Sequence, residues 1–350
     1  MKRFLDIQKR ITTAITAVAA LFGVSLSQGC STIFESEEDC SVRYLVEFRF
    51  TNNIMETDAF ASKVTSVALF VYDTNGNLVA TRTESGSALQ REHYMMEIDV
   101  QPGTYDLVAW CGLENNGEFS LPAGPNPATL DQAVCLMARE YAEEPDGAVS
   151  QKPLTPLYHA MNTNVVFPES EGPIFGDVVV SVMDLIKDTN TIRIILTHYN
   201  GKAIDPEDFS FSISDDNGKM NFDNSLMTDE MITYREWTKK EMPSVDTDTK
   251  AVNVINSMIA EIDIARLVTT HNPFLTIQAR DKSEPVLSLP ITNLLLYAKG
   301  EARSSMSDQR YLDCQDEYNL VFFIDDENGW YRNAGIYING WHLMNQGAEI

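Results

Sequence analysis

Positive charge is scarce in this chain of 350 residues. It has 26 lysine and arginine residues against 51 aspartate and glutamate residues, which gives a net charge of −25. Nucleic acids and anionic lipid surfaces attract basic patches, so this balance argues against both as electrostatic partners and favours solubility outside the cell. An apolar share of 44% excludes disorder over most of the chain.

Motifs of catalysis are also missing. The sequence has no GxSxG, no phosphate-binding P-loop, no GxGxxG and no HExxH. Its five histidines are scattered, and His198 falls on the same side of a predicted strand as Ile194 and Leu196, which favours a packed histidine. No pair of acids can be placed at the ~5–10 Å separation of a glycosidase. The sequence therefore predicts neither an enzyme nor a cofactor site.

The chain begins with an apolar run that is too short for a membrane span. A basic start, residues 1–10, precedes the uncharged residues 11–29. The apolar part ends at Leu26 and falls short of the ~20 residues of a spanning helix. This order predicts a signal peptide over residues 1–29, with a buried N-terminal helix as the alternative.

The end of this segment resembles a bacterial lipobox, in which a cysteine is lipidated and becomes the first mature residue. Gly29 precedes Cys30 as in such signals, although Leu26 lies one place further back than the usual leucine. The resemblance implies acylation of Cys30, palmitate included, with more than one chain and hence a stable anchor. Ser31 in place of aspartate implies the outer membrane. Cleavage that leaves a plain Cys30 is the alternative.

Residues 30–40 carry four acids and no strand period. They are interpreted as a solvated spacer that holds the folded body off the lipid headgroups. A second reading is left open, because the acidic run resembles the surface-export tags of some Gram-negative lipoproteins.

Cysteine is used sparingly, and no CxxC pair occurs, so zinc is not expected and no metal site is predicted. With Cys30 assigned to lipid, the four candidates for disulfides are Cys40, Cys111, Cys135 and Cys314. Four cysteines in an exported chain allow two disulfides in three pairings. Free buried thiols are the alternative.

Most of the remaining chain has the period of β-strands. Residues 42–50 alternate, with Tyr44 and Phe48 on one face, and two hairpins are predicted around Asn75-Gly76 and Pro102-Gly103. Short strands separated by turns predict an all-β protein built of sandwiches. Further strands are predicted at 175–186, 191–198, 208–215, 274–280, 286–291, 317–325 and 335–344.

Helices are expected to be few. Candidate segments are residues 129–140, 231–237, 251–262 and 291–298. The first of these can form about three turns of helix.

Three acidic Asn-Gly segments, residues 73–77, 215–219 and 325–330, have some of the composition of calcium loops. Each lacks the distant bidentate glutamate that such a loop needs. Asn-Gly between strands is what a hairpin requires, so turns are predicted at all three.

One arrangement of strands occurs twice. Residues 44–75 and 191–217 each contain an alternating strand, a gap, a second strand and an acidic Asn-Gly turn. A chain of this length exceeds one comfortable core. The predicted organisation is a signal peptide (1–29), a lipidated cysteine and spacer (30–40) and two sandwich domains (41–187 and 188–350).

Four segments together resemble the FimB-type fimbrial anchor lipoproteins of Gram-negative bacteria. They are Cys30 with the nearby EEDC (37–40), VALFVYDTNGNLV (67–79), PGTYDLVAWCG (102–112) and GIYINGW (335–341). The resemblance implies two tandem transthyretin-like β-sandwich domains at the base of a fimbrium, tethered to outer-membrane lipid through acylated Cys30. It implies fimbrial shaft subunits as partners, joined by strand addition, and a surface-exposed location. A fimbrial tip adhesin and a glycan-binding surface lipoprotein are the alternatives.

Two tryptophans are candidates for the interface with a partner. Trp110 and Trp341 each lie near the end of an apolar strand, and buried aromatic side chains anchor protein interfaces. Core packing is the alternative for both.

Overall fold

The computed structural model describes residues 42–113, 117–143, 147–169, 178–245 and 252–343. The predictions for the signal peptide, for Cys30 and Cys40 and for the acidic spacer lie outside these residues. The chain forms two compact units, and the larger one comprises Tyr44–Pro168 and Val180–Ile350.

The described chain consists mainly of strands, so the all-β prediction is confirmed. In chain order the strands are β1 (Arg43–Arg49), β2 (Ser66–Asp73), β3 (Leu78–Ser85), β4 (Met95–Ile98), β5 (Gly103–Cys111), β6 (Phe119–Ser120), β7 (Cys135–Met137), β8 (Glu140–Tyr141), β9 (Ala148–Ser150), β10 (Tyr158–Phe167), β11 (Val178–Asp184), β12 (Ile186–Lys187), β13 (Thr189–His198), β14 (Phe209–Asp215), β15 (Lys219–Met220), β16 (Ile232–Arg235), β17 (Thr238–Val245), β18 (Val252–Ala265), β19 (Phe274–Ala279), β20 (Leu287–Pro290), β21 (Glu317–Ile324), β22 (Ile336–Ile338) and β23 (Trp341–Leu343).

The α-helices of the described residues are short: α1 (Phe60–Lys63), α2 (Thr292–Leu296) and α3 (Asp308–Cys314). The helix predicted within 291–298 is confirmed, and α3 was not predicted. The other three predictions are wrong, since residues 129–140 form a short 3₁₀ turn and β7, and the other two segments form β16 and β18. Isoleucine, valine and tyrosine in those two segments favour strands once neighbouring strands are available.

Two facing sheets form the N-terminal half. One has the strand order β11-β1-β4 and the other β12-β10-β5-β2-β3. Aromatic side chains fill the space between them, with the rings of Tyr44 and Phe167 4.8 Å apart and those of Phe50 and Tyr158 5.1 Å apart. The predicted inner face of β1 is confirmed, because Tyr44 and Phe48 are both buried.

The C-terminal half contains two six-stranded sheets, in the orders β17-β18-β13-β21-β22-β23 and β20-β19-β14-β16-β9-β8. Ile194 and Leu320 of the first sheet and Phe211 and Ile277 of the second belong to one buried hydrophobic cluster. His198 at the end of β13 is also buried, as its position in the strand predicted.

Strands from the N-terminal half contribute to sheets of the C-terminal half. In β9, Ala148 pairs with Ile232 of β16 in parallel, and in β7 Cys135 pairs with Met220 of β15. The five-stranded sheet of the N-terminal half, by contrast, has β12 as an edge strand; β12 pairs with β10 and ends just before Asp188 in the chain. Strands β7, β8 and β9 therefore belong structurally with strands of the C-terminal half, and the division into two domains at residue 188 stays a prediction.

The repeated arrangement is found in part: its strands occur in both copies, but only the first Asn-Gly turn joins two paired strands, β2 and β3, because β15 pairs with β7 and not with β14. β1 and β2 lie in different sheets, and so do β13 and β14. At the first acidic turn, Asp73 Oδ1 accepts hydrogen bonds from the backbone N–H groups of Asn75 and Asn77, and Gly76 has φ of +77°. The side chain thus stabilises a turn whose glycine adopts a conformation that other residues rarely reach.

A buried polar network lies at the start of β13. Asp188 is fully buried, and its Oδ1 accepts a hydrogen bond of 2.9 Å from Asn224 Nδ2 and lies 3.6 Å from Arg266 Nε. Arg266 also pairs with Asp313 at 2.8 Å. Burial raises the pKa of Asp188 from 3.8 to about 7, against the opposing effect of Arg266.

This pKa predicts a pH dependence of stability. Because folding raises the pKa of Asp188 from 3.8 to about 7, its contribution to the free energy of unfolding is fully present below the lower value and is lost as the pH rises through the upper one. We expect the stability of the wild type relative to Asp188→Asn to fall between pH 4 and 7. Urea denaturation at several pH values measures it, with exposed Asp99→Asn as the control. If the difference in free energy of unfolding between the wild type and Asp188→Asn stays constant over this pH range, the raised pKa of Asp188 is contradicted.

The final strands close the first six-stranded sheet, as the sequence predicts. Ile336 and Ile338 are buried, and Ile338 pairs with Leu320 of β21. A Cβ added at Gly340 would meet nothing within 4 Å, so no close backbone approach requires a glycine at this position. Gly340 and Asn339 instead form the β22–β23 turn with φ of +86° and +48°.

Loss of these strands should destabilise the protein. We expect Ile338→Ala to lower the free energy of unfolding by ~2–5 kcal/mol, because it leaves a cavity beside Leu320. Truncation after Asn333 should lower the free energy of unfolding by at least as much. Chemical denaturation measures both, and an unchanged midpoint for the truncated chain would show that β22 and β23 do not contribute to the core.

Candidate interface

Trp110 is a core residue, which corrects its candidate role at an interface. It is 0% exposed, its indole Nε1 donates a hydrogen bond of 3.0 Å to the carbonyl oxygen of Ala133, and its ring lies 4.4 Å from that of His159. The segment that carries Phe119 and Cys135 covers this face of β5 and belongs to the same hydrophobic cluster. Trp110 therefore has no solvent-exposed surface that a partner could contact.

Trp341 is the candidate that the structure leaves exposed. It begins β23, the last strand in its sheet among the described residues, and 55% of it is accessible to solvent. Its ring lies against Gly300, where an added Cβ would come within 3.3 Å of the indole Cζ2. Tyr297, one turn before Gly300, is 64% exposed. We call β23, together with Tyr297 and Gly300, the C-terminal edge.

Stacked rings hold this edge in place. Tyr337 of β22 stacks on His342 of β23 with ring centroids 4.3 Å apart, and Phe323 of β21 packs against Tyr337 at 6.0 Å. His342 Nε2 also lies 2.9 Å from the carbonyl oxygen of Ala334. A short edge strand is thereby ordered even though described strands pair with it on one side only. Unpaired backbone groups at such an edge can accept an added strand.

A second exposed apolar surface was not identified from the sequence. Val180 and Val182 of β11 are 41% and 40% exposed, and Met95 of β4 is 41% exposed. They lie on the outer face of the sheet β11-β1-β4, and we call these three residues the valine face. Asn162 Nδ2 donates a hydrogen bond of 2.7 Å to the carbonyl oxygen of Val182, which ties β11 to β10. A strand with apolar residues on both sides, as in 178–183, is the signal that could have indicated it.

A groove of about 530 Å³ lies beside β2, β3 and β5. Phe70, Trp110 and Phe119 contribute to its lining, but each of these rings is at most 1% exposed. A sugar that stacks on an aromatic ring needs an accessible ring face. The groove therefore does not favour glycan binding.

Cys111, Cys135 and Cys314 are buried free thiols, which corrects the expectation of disulfides among them. They lie on β5, on β7 and at the end of α3, so each is fixed on a different element. Burial raises the pKa of all three thiols, which keeps them protonated and unreactive. Cys40 lies outside the described residues. No helix in the described ranges is long and apolar enough to cross a membrane.

Comparison with known proteins supplies a family and several similar folds. A family model of the fimbrillin-A associated anchor proteins Mfa1 and Mfa2 matches residues 36–347. No curated protein matches the chain significantly. The matched range begins within the acidic segment and extends to the residues just after β23.

Several solved structures have a fold similar to that of this chain over most of its length. A proposed adhesin from Bacteroides thetaiotaomicron VPI-5482 is 29% identical with a TM-score of 0.74, and the match covers 87% of this chain and 98% of that one. A proposed polysaccharide-binding protein from the same organism is 25% identical with a TM-score of 0.72, covering 87% and 99%. The fimbrial anchor protein Mfa2 from Porphyromonas gingivalis is 15% identical with a TM-score of 0.63, covering 87% and 99%, and shows a shared fold.

The two tryptophans should respond differently to truncation. We expect Trp110→Ala to lower the free energy of unfolding by ~3–5 kcal/mol, as for a fully buried large side chain. Trp341→Ala should cost only about 1 kcal/mol, because less than half of its surface is buried. Equilibrium denaturation measures both, and equal losses would contradict the exposed position of Trp341.

Proposed function

The chain belongs to the family of fimbrillin-A associated anchor proteins, and from this premise we propose that it is a lipid-tethered subunit that anchors a fimbrium to the outer membrane. The match of the family model to residues 36–347 carries this proposal, because it extends over nearly all of the chain that follows Cys30. The proposed role is one of attachment and involves no catalysis.

The tether is proposed to be Cys30. Gly29-Cys30 ends an uncharged apolar segment, and four acids follow before the first strand begins at Arg43. Two or more acyl chains hold a protein in a membrane stably, whereas one chain does so only marginally. The acidic residues would keep the folded sheets away from anionic headgroups by charge repulsion.

The junction with a shaft subunit is proposed to form by strand addition at the C-terminal edge. An extended segment of the shaft subunit would pair with the outer side of β23 and extend the six-stranded sheet. Trp341 lies against Gly300 and is 55% exposed, so an added strand would bury it further. Backbone hydrogen bonds would supply affinity, and side-chain contacts with the indole would fix the register.

Replacement of Cys30 tests the tether. Cys30→Ala should fold normally, because the described strands begin only at Arg43. It should move from the membrane fraction to the soluble fraction and should take up no fatty-acid label, and attached fimbriae should be shed into the medium. Cys314→Ala, which keeps Cys30, is the matched control. Retention of Cys30→Ala in the outer membrane would exclude this tether.

Replacement of Trp341 tests the junction separately from the tether. Trp341→Ala should remain in the outer membrane but hold fewer fimbriae on the cell, because the edge loses its largest exposed apolar side chain. Val182→Ser, on the valine face, is the control for loss of an exposed apolar residue elsewhere. Normal fimbriation of Trp341→Ala would place the junction at another edge.

Immunogold labelling separates an anchor from a tip adhesin. Label on intact wild-type cells should lie at the cell-proximal end of each fimbrium. Label at the far end would assign the chain to the tip and overturn the anchor role.

A further inference from the structure

Three side chains with metal-binding atoms meet at the end of β14. Asp215 is the last residue of this strand, Asp216 follows it, and His271 lies in the connection between β18 and β19. His271 Nδ1 is 3.2 Å from Asp215 Oδ1 and 3.1 Å from Asp216 Oδ1. One ligand atom from each of the three residues can be chosen so that all lie within 4.8 Å of one another.

Hydrogen bonds satisfy only part of this group: Asp215 Oδ1 accepts one of 3.0 Å from the backbone N–H of Asp216 and lies at hydrogen-bond distance from His271 Nδ1. The Nδ1 atom of His271 carries at most one proton, yet two carboxylate oxygens lie at nearly equal distances from it. The other oxygen of Asp215, Oδ2, is buried without a hydrogen-bond partner, and the side chain of Asp215 is 5% exposed. A buried carboxylate oxygen without a donor is costly, so the geometry calls for a further positive group.

We propose that Asp215, Asp216 and His271 bind one divalent metal ion of the zinc class. Zinc binds imidazole nitrogen at ~2.0–2.1 Å and carboxylate oxygen at ~2.0–2.2 Å, and tetrahedral ligands at these distances are about 3.3–3.5 Å apart. The separations of 3.1 and 3.2 Å seen here need only a small adjustment. Calcium prefers six to eight oxygen ligands, so a site with nitrogen and few protein ligands disfavours it.

The surroundings fit such a site. The side chains of Asp216 and His271 are 40% and 25% exposed, which leaves an opening through which the ion can enter and a water can complete its coordination. The backbone on both sides is already fixed: Thr292 Oγ1 donates a hydrogen bond of 2.9 Å to the carbonyl oxygen of His271. Asn217 Nδ2 donates one of 3.0 Å to the carbonyl oxygen of Arg266. The ion would join the end of β14 to the β18–β19 connection and stabilise the folded state.

The test uses the full chain after removal of metal with a chelator. Titration calorimetry with zinc chloride should show one tight site per chain, and metal analysis after desalting should find one zinc. Calcium chloride should bind at least ~10-fold more weakly, since the donor set includes nitrogen. Zinc should also raise the melting temperature.

Variants assign the site to these residues. His271→Gln and Asp216→Asn should each weaken zinc binding by more than the ~10–100-fold typical for the loss of an outer-shell partner. The matched control is His93→Gln, which removes an exposed histidine that pairs with Glu47 at 3.0 Å. It should bind zinc as the wild type does. Circular dichroism without metal verifies the fold of each variant.

Cobalt gives an independent measurement. Cobalt(II) in the wild type should show absorption bands of a low-coordinate site, and His271→Gln should lose them. The proposal is overturned if the wild type binds no zinc stoichiometrically, if His271→Gln binds it as the wild type does, or if only weak sites appear that every variant retains. The last outcome would mean adventitious binding to an acidic surface. If Asp216→Asn does not fold, His271→Gln decides.

Discussion

Strands β2 and β5 are buried on both faces of their sheet, and much of the structure depends on this constraint. Leu69 and Leu107 point to the sandwich with β1, whereas Phe70 and Trp110 belong to the hydrophobic cluster that continues into the C-terminal half. A sheet covered on both faces needs two sources of apolar side chains. The segment from Phe119 to Met137 supplies the second cover, since Phe119, Cys135 and Met137 belong to the same cluster as Phe70 and Trp110.

Sequence patterns identified most parts whose neighbours are close in the chain, but the hairpin predicted at Pro102-Gly103 is wrong, because β4 pairs with β1 and β5 pairs with β2 and β10. Alternation gave the inner face of β1, and Asn75-Gly76 indicated a turn, because both signals arise within a few residues. The three wrong helices share the opposite property. β16 pairs with β9 as well as β14, and β18 pairs with β13 as well as its chain neighbour β17, so each strand has a partner that is distant in sequence. The composition of these segments did not show which strands would pair with them.

The candidate interface shows the same limit. The sequence placed Trp110 and Trp341 alike near strand ends and did not distinguish them; Trp341 is exposed, whereas Trp110 is buried by a cover that the sequence did not indicate. The residues near Asp215 were assigned correctly to the end of a strand. His271 lies 56 residues later in the chain, so its approach to Asp215 depends on the pairing of β14 with β19. A local sequence pattern does not predict tertiary contacts of this kind.

The parallel pairing of β9 with β16 also governs how the molecule carries mechanical load. Because β9 comes from one half of the chain and lies in a sheet of the other half, the two halves cannot separate as independent domains. Tension applied across them must first break the β9–β16 backbone hydrogen bonds and withdraw Ala148 from the core cluster. Under force, the two halves should therefore separate only after the pairing of β9 with β16 is broken.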